Sequence, residues 1–217
     1  MRTVDLLVLA NSRKLSGKCL AGLVLPELTE WVRPISPHTA QGEVPKNQLW
    51  IFDGHLQRLI QPLDVVKVSL NKRTTTPFHP EDWGLSDKPI NFIRKFSMAE
   101  LGDRLRQRDR RNYTLLDLNG QKSITAENAQ SGLSHSIETI LVDSPSLFRD
   151  QYGKFRTNFS FNHFDYSYIP ITHPMLEEAF NEGSLPDAKQ WYFTISLTEE
   201  YNGSHWMVVA AGLPLLE

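Results

Sequence analysis

The sequence predicts a mainly β protein with a minor α-helical part, folded as two small barrels. Short runs of apolar or alternating residues recur along the chain, and turn residues (Pro, Gly and Asn) separate them at close spacing. This spacing favours small barrels over a parallel sheet, which needs longer crossover connections. The chain has 217 residues, of which 40% are hydrophobic and 22% charged, so it can form one or two ordinary globular domains.

The first part of the chain contains four predicted strands. Residues 3–12 are a short apolar run that ends in a turn, and residues 18–25 look like its antiparallel partner. Residues 30–36 form a third strand, which prolines close. Residues 64–71 alternate between two faces and predict a fourth strand.

A helix is predicted after these strands. Ser97 and Glu100 form a capping box, and apolar residues follow at helical spacing, so we expect a helix over 98–111. A second, weaker helical stretch covers about 124–131. The first helix carries five arginines, which are Arg104, Arg106, Arg108, Arg110 and Arg111.

Strands resume in the last third of the chain. Residues 135–143 predict one strand, and residues 154–172 predict a pair that turns at Asn162-His163. Pro174 is expected to begin a helix. Asn202-Gly203 is a strong signal for a final hairpin. The predicted parts of the chain are the first barrel at 1–96, a helical, arginine-rich connecting segment at 97–132 and the second barrel at 133–217.

Composition excludes several classes of protein. Cys19 is the one cysteine, so neither an internal disulfide nor a cysteine-based zinc site is expected. The apolar run at 6–10 is too short for a signal peptide or a membrane span. His163, Asp165 and His173 do not make a convincing set of metal ligands. We therefore predict a cytoplasmic protein with no membrane segment, no metal and no cofactor.

Charge is distributed unevenly along the chain. Residues 1–112 contain 18 Lys and Arg against 12 Asp and Glu, a formal charge of +6. Residues 113–217 contain 5 against 13, a formal charge of −8. A basic half attracts phosphate at long range and an acidic half repels it, although such variation is also compatible with an ordinary solvated surface.

The loop at 13–19 is basic and follows a predicted strand. It superficially resembles a phosphate-binding loop, but Ser12 stands where that motif needs glycine and Cys19 where it needs a hydroxyl residue. Nucleotide hydrolysis of that type is therefore not expected. Electrostatic contact with phosphate and a plain solvated turn both stay open.

Polar and aromatic residues concentrate at 79–83. His79, Glu81 and Asp82 could supply a general acid or base, whereas Trp83 and its neighbours could equally form a structural corner, which we favour.

Aromatic residues also alternate along 159–168, close to Lys154 and Arg156. Rings beside cations are what single-stranded nucleic acid requires, because bases stack on the rings and cations hold the phosphates. Alternation places Phe159 and Phe161 on one side, where we expect an inner barrel face. Tyr166 and Tyr168 are better surface candidates, because their hydroxyl groups require water or a partner.

Several segments, taken in their order along the chain, resemble one known family. They are SRKLSGKCLAG, EWVRPIS with a following Gly42-Glu43, PFHPEDW, KFRTNFSFNHFDYSYIPITHP and FTISLTEEYNGSHWMVVAAGL. This order resembles the bacterial dual OB-containing domain family over nearly the whole chain. The chain departs from the usual family pattern at His173, where aspartate is common, and at residues 198–200 in the last hairpin.

The resemblance implies two OB-like barrels and a nucleic-acid-binding or nucleotide-binding role, in families often suspected of a part in phage defence. Our main hypothesis is a non-catalytic module that binds nucleic acid, single-stranded and sequence-tolerant. Cations would neutralise phosphates, and rings would stack on bases. The predicted binding residues are Arg13, Lys14, Lys18, Trp31, Arg33, Lys72, Arg73, Trp83, Arg104, Arg108, Arg111, Tyr166 and Tyr168.

Two alternatives stay open. The protein could be an accessory or sensor subunit of a bacterial defence system, which docks a basic protein through its acidic half or holds a small nucleotide in a barrel. It could also be an enzyme acting on nucleic acid, for which His79, Glu81 and Asp82 are the cluster to test.

Overall fold

The structure is a computed structural model that describes residues 1–14, 17–106 and 114–216. The chain divides into two compact units. The first comprises Met1–Thr76 and Glu81–Asp109, and the second comprises Pro77–Pro80 and Arg110–Glu217. Each unit has its own hydrophobic core. Among the described residues, no helix has the length and apolar character needed to cross a membrane.

The described part of the first unit forms eight strands and one α-helix. They are β1 (Arg2–Lys14), β2 (Gly17–Val24), β3 (Trp31–Ile35), β4 (Trp50–Asp53), β5 (Leu56–Leu59), β6 (Asp64–Arg73), β7 (Asp82–Leu85), β8 (Asn91–Lys95) and α1 (Met98–Arg106).

Five of these strands close into a barrel. They pair in the order β1-β2-β3-β7-β6, and β6 pairs back with β1. The β3–β7 pair is parallel and the other four pairs are antiparallel. A closed five-stranded barrel with this crossover is the OB fold, so the predicted fold class is confirmed for this unit.

The barrel interior follows the alternation of the sequence. Leu6 of β1 stands opposite Val66 of β6, and Val4 stands opposite Val68. All four side chains are buried in one apolar cluster, while Lys67 between the two valines is exposed. Period-two alternation therefore fixes which face of each strand is buried.

A buried ion pair joins the two parallel strands. Arg33 of β3 and Asp82 of β7 are register partners, and Nε of Arg33 donates to Oδ1 of Asp82 at 2.6 Å. The backbone N–H of Arg33 also donates to the carbonyl of Glu81 at 2.9 Å. Burial opposes charge on Arg33, but the attraction of Asp82, with smaller contributions from Cys19 and Glu81, outweighs it and raises the pKa of the guanidinium.

The predicted capping box is confirmed at the start of α1. The backbone N–H of Glu100 donates to Oγ of Ser97 at 3.1 Å, and the N–H of Ser97 donates to the Glu100 carboxylate at 2.9 Å. The helix Met98–Arg106 lies within the first unit, and residues 107–111 of the predicted helix lie outside the described part of the chain. A helical connection between the units is thus not confirmed.

The second unit contains seven strands and two helices among its described residues. They are β9 (Ser123–Thr125), α2 (Ala126–Ala129), β10 (Ile137–Asp143), β11 (Ser146–Arg149), β12 (Phe155–Phe161), β13 (Phe164–Pro170), α3 (Pro174–Asn181), β14 (Gln190–Leu197) and β15 (Ser204–Leu215). A four-stranded sheet, β10-β14-β15-β9, and a three-stranded sheet, β11-β12-β13, enclose one core as a half-barrel.

The predicted turns of the second unit are present. Asn162 and His163 both have positive φ, at 46° and 70°, and so do Asn202 and Gly203, at 51° and 74°. Two successive positive φ values match the twist of a tight hairpin, which explains the amide and glycine residues at these corners. The last helix begins at Pro174 as expected, with His173 before it making no side-chain cap.

Replacing Asp82 by asparagine tests the buried ion pair. The substitution removes the carboxylate that is hydrogen-bonded to the buried Arg33 guanidinium, so we expect the free energy of unfolding to fall by about 3–5 kcal/mol. Chemical denaturation measures the change. Asp87→Asn is the matched control, because Asp87 is exposed and its loss should cost less than about 1 kcal/mol. Equal losses in the two variants would contradict a structural role for the Arg33–Asp82 pair.

Candidate functional site

Three cations come together where β1 turns into β2. Arg13 and Lys18 are register partners across this hairpin. Lys18 exchanges two backbone hydrogen bonds with Val44, at 3.1 and 2.9 Å, and Lys46 follows two residues later. We call Arg13, Lys18 and Lys46 the basic cluster. Lys46 was not among the predicted binding residues, because only the tertiary pairing of Lys18 with Val44 brings it to this hairpin.

The electrostatics of Lys18 reflect its partial burial and the two other cations of the basic cluster. Partial burial lowers the pKa of the Lys18 ammonium, and the charges of Arg13 and Lys46 lower it further. A lowered lysine pKa means that the charged form is disfavoured where it stands. A bound phosphate group would offset the repulsion between these cations, so the cluster is suited to an anion.

Two exposed aromatic residues follow directly after the basic cluster. Lys46 opens a short 3₁₀ turn, and β4 begins where that turn ends. Trp50 is 45% exposed and Phe52 is 68% exposed, with buried Ile51 between them. Residues two apart on a strand share a face and lie about 7 Å apart. We call β4 and β5, with Trp50 and Phe52 on their outer face, the aromatic hairpin.

Sequence reasoning missed the aromatic hairpin, although a signal for it exists. In the sequence, Asp53-Gly54 is a hairpin signal directly after Trp50, Ile51 and Phe52. In the structure Asp53 pairs with Leu56, so the two turn residues are Gly54 and His55, and Gly54 takes a positive φ of 62°.

Three further predicted binding residues of the barrel are buried or half-buried. Arg33 is buried and paired with Asp82, so the expectation that it meets phosphate is corrected. Lys14 is half-buried and pairs with Gly17 at the end of the β1–β2 hairpin, and Trp31 is half-buried opposite Leu23.

A carboxylate balances the positive charge near Trp83. Trp83 stands opposite Arg73 of β6, and the Arg2 guanidinium lies 5.3 Å from its ring centroid. Glu30 forms a two-pronged pair with Arg2, both bonds at 2.6 Å. The pKa of Glu30 is lowered by the hydrogen bonds from Arg2 and by the charges of Arg2 and Arg73. Lys72 is exposed beside this locally neutralised group.

In the second unit the two candidate tyrosines occupy opposite environments. Tyr166 is fully buried and stacks on Phe159, with ring centroids 5.2 Å apart, whereas Tyr168 is exposed. The expectation that Tyr166 lies on the surface is therefore wrong. Burial is also the main reason that the pKa of its hydroxyl group is raised.

A β-bulge separates the two tyrosines. Alternation would place both on one face, but β13 pairs with β12 through Tyr166 opposite Phe159 and then Ile169 opposite Thr157. Asn158 alone therefore faces two residues of β13, and the extra residue turns the strand over. Tyr168 takes a φ of +59°, and Oδ1 of Asn158 accepts its backbone N–H at 2.8 Å.

The members of the candidate acid–base cluster belong to different units. Asp82 is paired with Arg33 in the first unit, and the carbonyl of Glu81 accepts the N–H of Arg33. His79 belongs to the second unit, where its Nε2 lies 3.3 Å from the carbonyl of Leu197. In the residues that can be described, no three His, Cys, Asp or Glu side chains are placed to hold a metal ion.

The arginine-rich segment lies largely outside the described residues. Arg104 lies in α1, but its side chain is outside the described residues, as are the whole of Arg108 and Arg111.

Comparison with known proteins identifies the family. The model of the dual OB-containing domain matches residues 4–211. The chain belongs to the dual OB-containing domain family. The match covers nearly the whole chain, so both units fall within this family domain, and the resemblance noted from the sequence is confirmed. No curated protein and no solved structure shows a significant match.

Replacing Lys18 by methionine tests the like charge of the basic cluster. Methionine keeps the apolar stem and removes the charge, so we expect stability at low ionic strength to rise, by less than about 1 kcal/mol. The pKa of Lys18 is lower in the folded protein than in the unfolded chain. Between these two pKa values the unfolded chain binds more protons, so the stability of the wild type rises with pH over this range. The variant should lack this rise.

Thermal unfolding over a pH and salt series measures both effects. Lys67→Met is the matched control, because the Lys67 ammonium pairs with Asp5 at 2.9 Å and its loss should not stabilise the fold. If Lys18→Met destabilised the protein as much as the control does, the lysine would have a structural role instead.

Proposed function

We propose that the protein binds single-stranded nucleic acid, with little selectivity for sequence, through the basic cluster and the aromatic hairpin of the first unit. The observation that carries this proposal is the convergence of Arg13, Lys18 and Lys46, a like-charge group that lowers the pKa of Lys18, directly before two exposed rings.

Each part of this surface matches one part of a nucleic-acid strand. Cations that neutralise phosphates release condensed counterions, which is the main source of sequence-independent affinity. Exposed rings stack on bases and contribute about 1–3 kcal/mol for each base. Stacking requires unpaired bases, which supports a single strand, and every base has a flat face, which supports tolerance of sequence.

The position of the surface on the barrel supports the same function. OB barrels bind oligonucleotides and oligosaccharides with the face of their second and third strands and with the loop between the first and second strands. The basic cluster lies at the β1–β2 connection, with Arg13 on one side and Lys18 on the other. Its positive charge favours the nucleic acid over a neutral sugar.

Titration of a labelled single-stranded oligonucleotide at several salt concentrations tests the phosphate contacts. We expect affinity to fall as salt rises, with a slope of about −0.7 for each phosphate that is neutralised. The double variant Lys18→Met, Lys46→Met removes two cations and should make the slope shallower by about 1.4. Lys67→Met, which removes a cation outside the cluster, should leave affinity and slope nearly unchanged. Binding that ignores salt would contradict phosphate neutralisation.

A second pair of substitutions tests base stacking. Trp50→Leu with Phe52→Leu keeps apolar side chains but removes both rings, so we expect affinity for a single strand to fall while the salt slope stays as in the wild type. Fluorescence anisotropy measures both quantities, and a duplex of the same sequence is the comparison. Equal affinity for duplex and single strand would count against stacking at this hairpin.

The wider setting of this function stays a prediction. A part in phage defence, and a protein partner for the acidic half, rest on the sequence and the family resemblance.

A further inference from the structure

The second unit contains an open cleft of about 470 Å³ that the proposed function does not use. Small-molecule sites commonly have volumes of about 300–1,000 Å³. The cleft lies between the end of β13 and the start of β15. We call it the aromatic cleft, and the residues that matter for its chemistry are Lys122, Asp150, Arg156, Tyr168, Tyr201 and Trp206.

Three exposed rings line the aromatic cleft. Tyr168 is 61%, Tyr201 68% and Trp206 42% exposed. Several large aromatic side chains left in solvent on one concave surface indicate a binding site, because a folded protein otherwise tends to bury such rings.

Two of the three rings, those of Trp206 and Tyr168, are held in place by contacts within the protein. Nε1 of Trp206 donates to the carbonyl of Tyr201 at 3.1 Å, and the backbone N–H of Trp206 donates to Oγ1 of Thr198 at 3.0 Å. The ring of Tyr168 packs edge-on against Phe148, with centroids 5.5 Å apart. Prepositioned rings lose little conformational entropy when a ligand binds.

The backbone of Tyr168 is strained in a way that serves the cleft. Its φ of +59° is uncommon for a residue with a bulky side chain and costs of order 1–3 kcal/mol. The bulge opposite Asn158 maintains this conformation and turns the ring outward, whereas regular alternation would send it into the core beside Tyr166. Strain of this kind concentrates at functional sites.

Two cations stand in the same cleft. Lys122 is exposed, and among the described residues its Nζ donates only to the carbonyl of Ser167, at 3.2 Å. Nε of Arg156 donates to Oδ2 of Asp150 at 2.9 Å, while its two terminal nitrogens make no hydrogen bond within the part of the chain that the structure describes. The side chain of Asp150 is only 6% exposed and also accepts two backbone N–H groups, so it orients Arg156 and is little available to a ligand.

We propose that the aromatic cleft binds a nucleotide, with the base stacked on the rings and the phosphate paired with Lys122 and Arg156. A cationic ligand would be repelled by Lys122, and a neutral apolar ligand would leave the terminal nitrogens of Arg156 unpaired. A ligand with a planar aromatic ring and a negative charge would stack on the exposed rings and pair with Lys122 and Arg156. This site is separate from the surface of the first unit and does not depend on it.

The nucleotide has two sources with the same chemistry, a free mononucleotide or one unit of a strand. Calorimetric titration with deoxyadenosine monophosphate and with an oligodeoxyadenylate distinguishes them. Deoxyadenosine without its phosphate is a third probe, which separates stacking from charge pairing.

Two variants with matched controls report on the cleft. Tyr168→Asn removes the ring, and asparagine tolerates a positive φ, so the fold is preserved. We expect this variant to weaken binding of the monophosphate roughly 5- to 150-fold, the equivalent of one stacked base. Tyr152→Asn removes an exposed ring outside the cleft and should change nothing.

The charge variant is Lys122→Met, with Lys189→Met as its control, since Lys189 is exposed and does not line the cleft. Lys122→Met should reduce severalfold the preference for the monophosphate over deoxyadenosine, and Lys189→Met should leave it unchanged.

The binding results distinguish a site for a free nucleotide from a site for one nucleotide of a strand. Binding of the monophosphate that depends on Tyr168 and Lys122 establishes a site for a free nucleotide. Binding of the oligonucleotide alone, weakened by the same two variants, establishes a site for a nucleotide within a strand. If neither probe binds, or if both bind with equal affinity to wild type and cleft variants, the proposal is overturned. The substitutions in the basic cluster and aromatic hairpin should not alter monophosphate binding, so a failure of the first-unit proposal is recognised independently.

Discussion

The parallel pairing of β3 with β7 is the constraint on which the barrel depends. Without the β3–β7 pair, the strands of the first unit would form an open sheet in which β3 and β7 are the two edges. The barrel would then not be closed. Arg33 and Asp82 hold this junction with a buried ion pair. A buried pair is costly to desolvate, so it specifies which strands meet more than it stabilises them.

Closure of the barrel also decides which cations are available to a ligand. Arg33 is paired with Asp82 inside the barrel wall and is not available to a ligand. Arg2 and Arg73 lie near the carboxylate of Glu30, which offsets their charge. At the β1–β2 hairpin the charges of Arg13 and Lys46 add to partial burial in lowering the pKa of Lys18. The number of basic residues in a segment is therefore a poor guide to its potential, since the nearest carboxylate determines what remains.

Locally encoded features were predictable from the sequence. The capping box of α1 and the tight turns at residues 162–163 and 202–203 depend on residues close together in the chain. Strand positions followed from period-two alternation, and the order of several motifs indicated the family that the domain comparison shows. Features that depend on distant partners were not predictable: Tyr166 turned inward because of a bulge set by Asn158, and His79 joined the second unit while Asp82 stayed in the first.

The sequence by itself determined the two-barrel family, the mainly β composition and the basic character of the first half, because these follow from residue types and short-range pattern. Only the tertiary structure decided that Lys46 joins Lys18, that the rings of Trp50 and Phe52 are exposed, and that Tyr168 lines a cleft with Lys122 and Trp206. The physical reason is that strand pairing brings together residues far apart in the chain, and one inserted residue reverses the direction of every side chain after it.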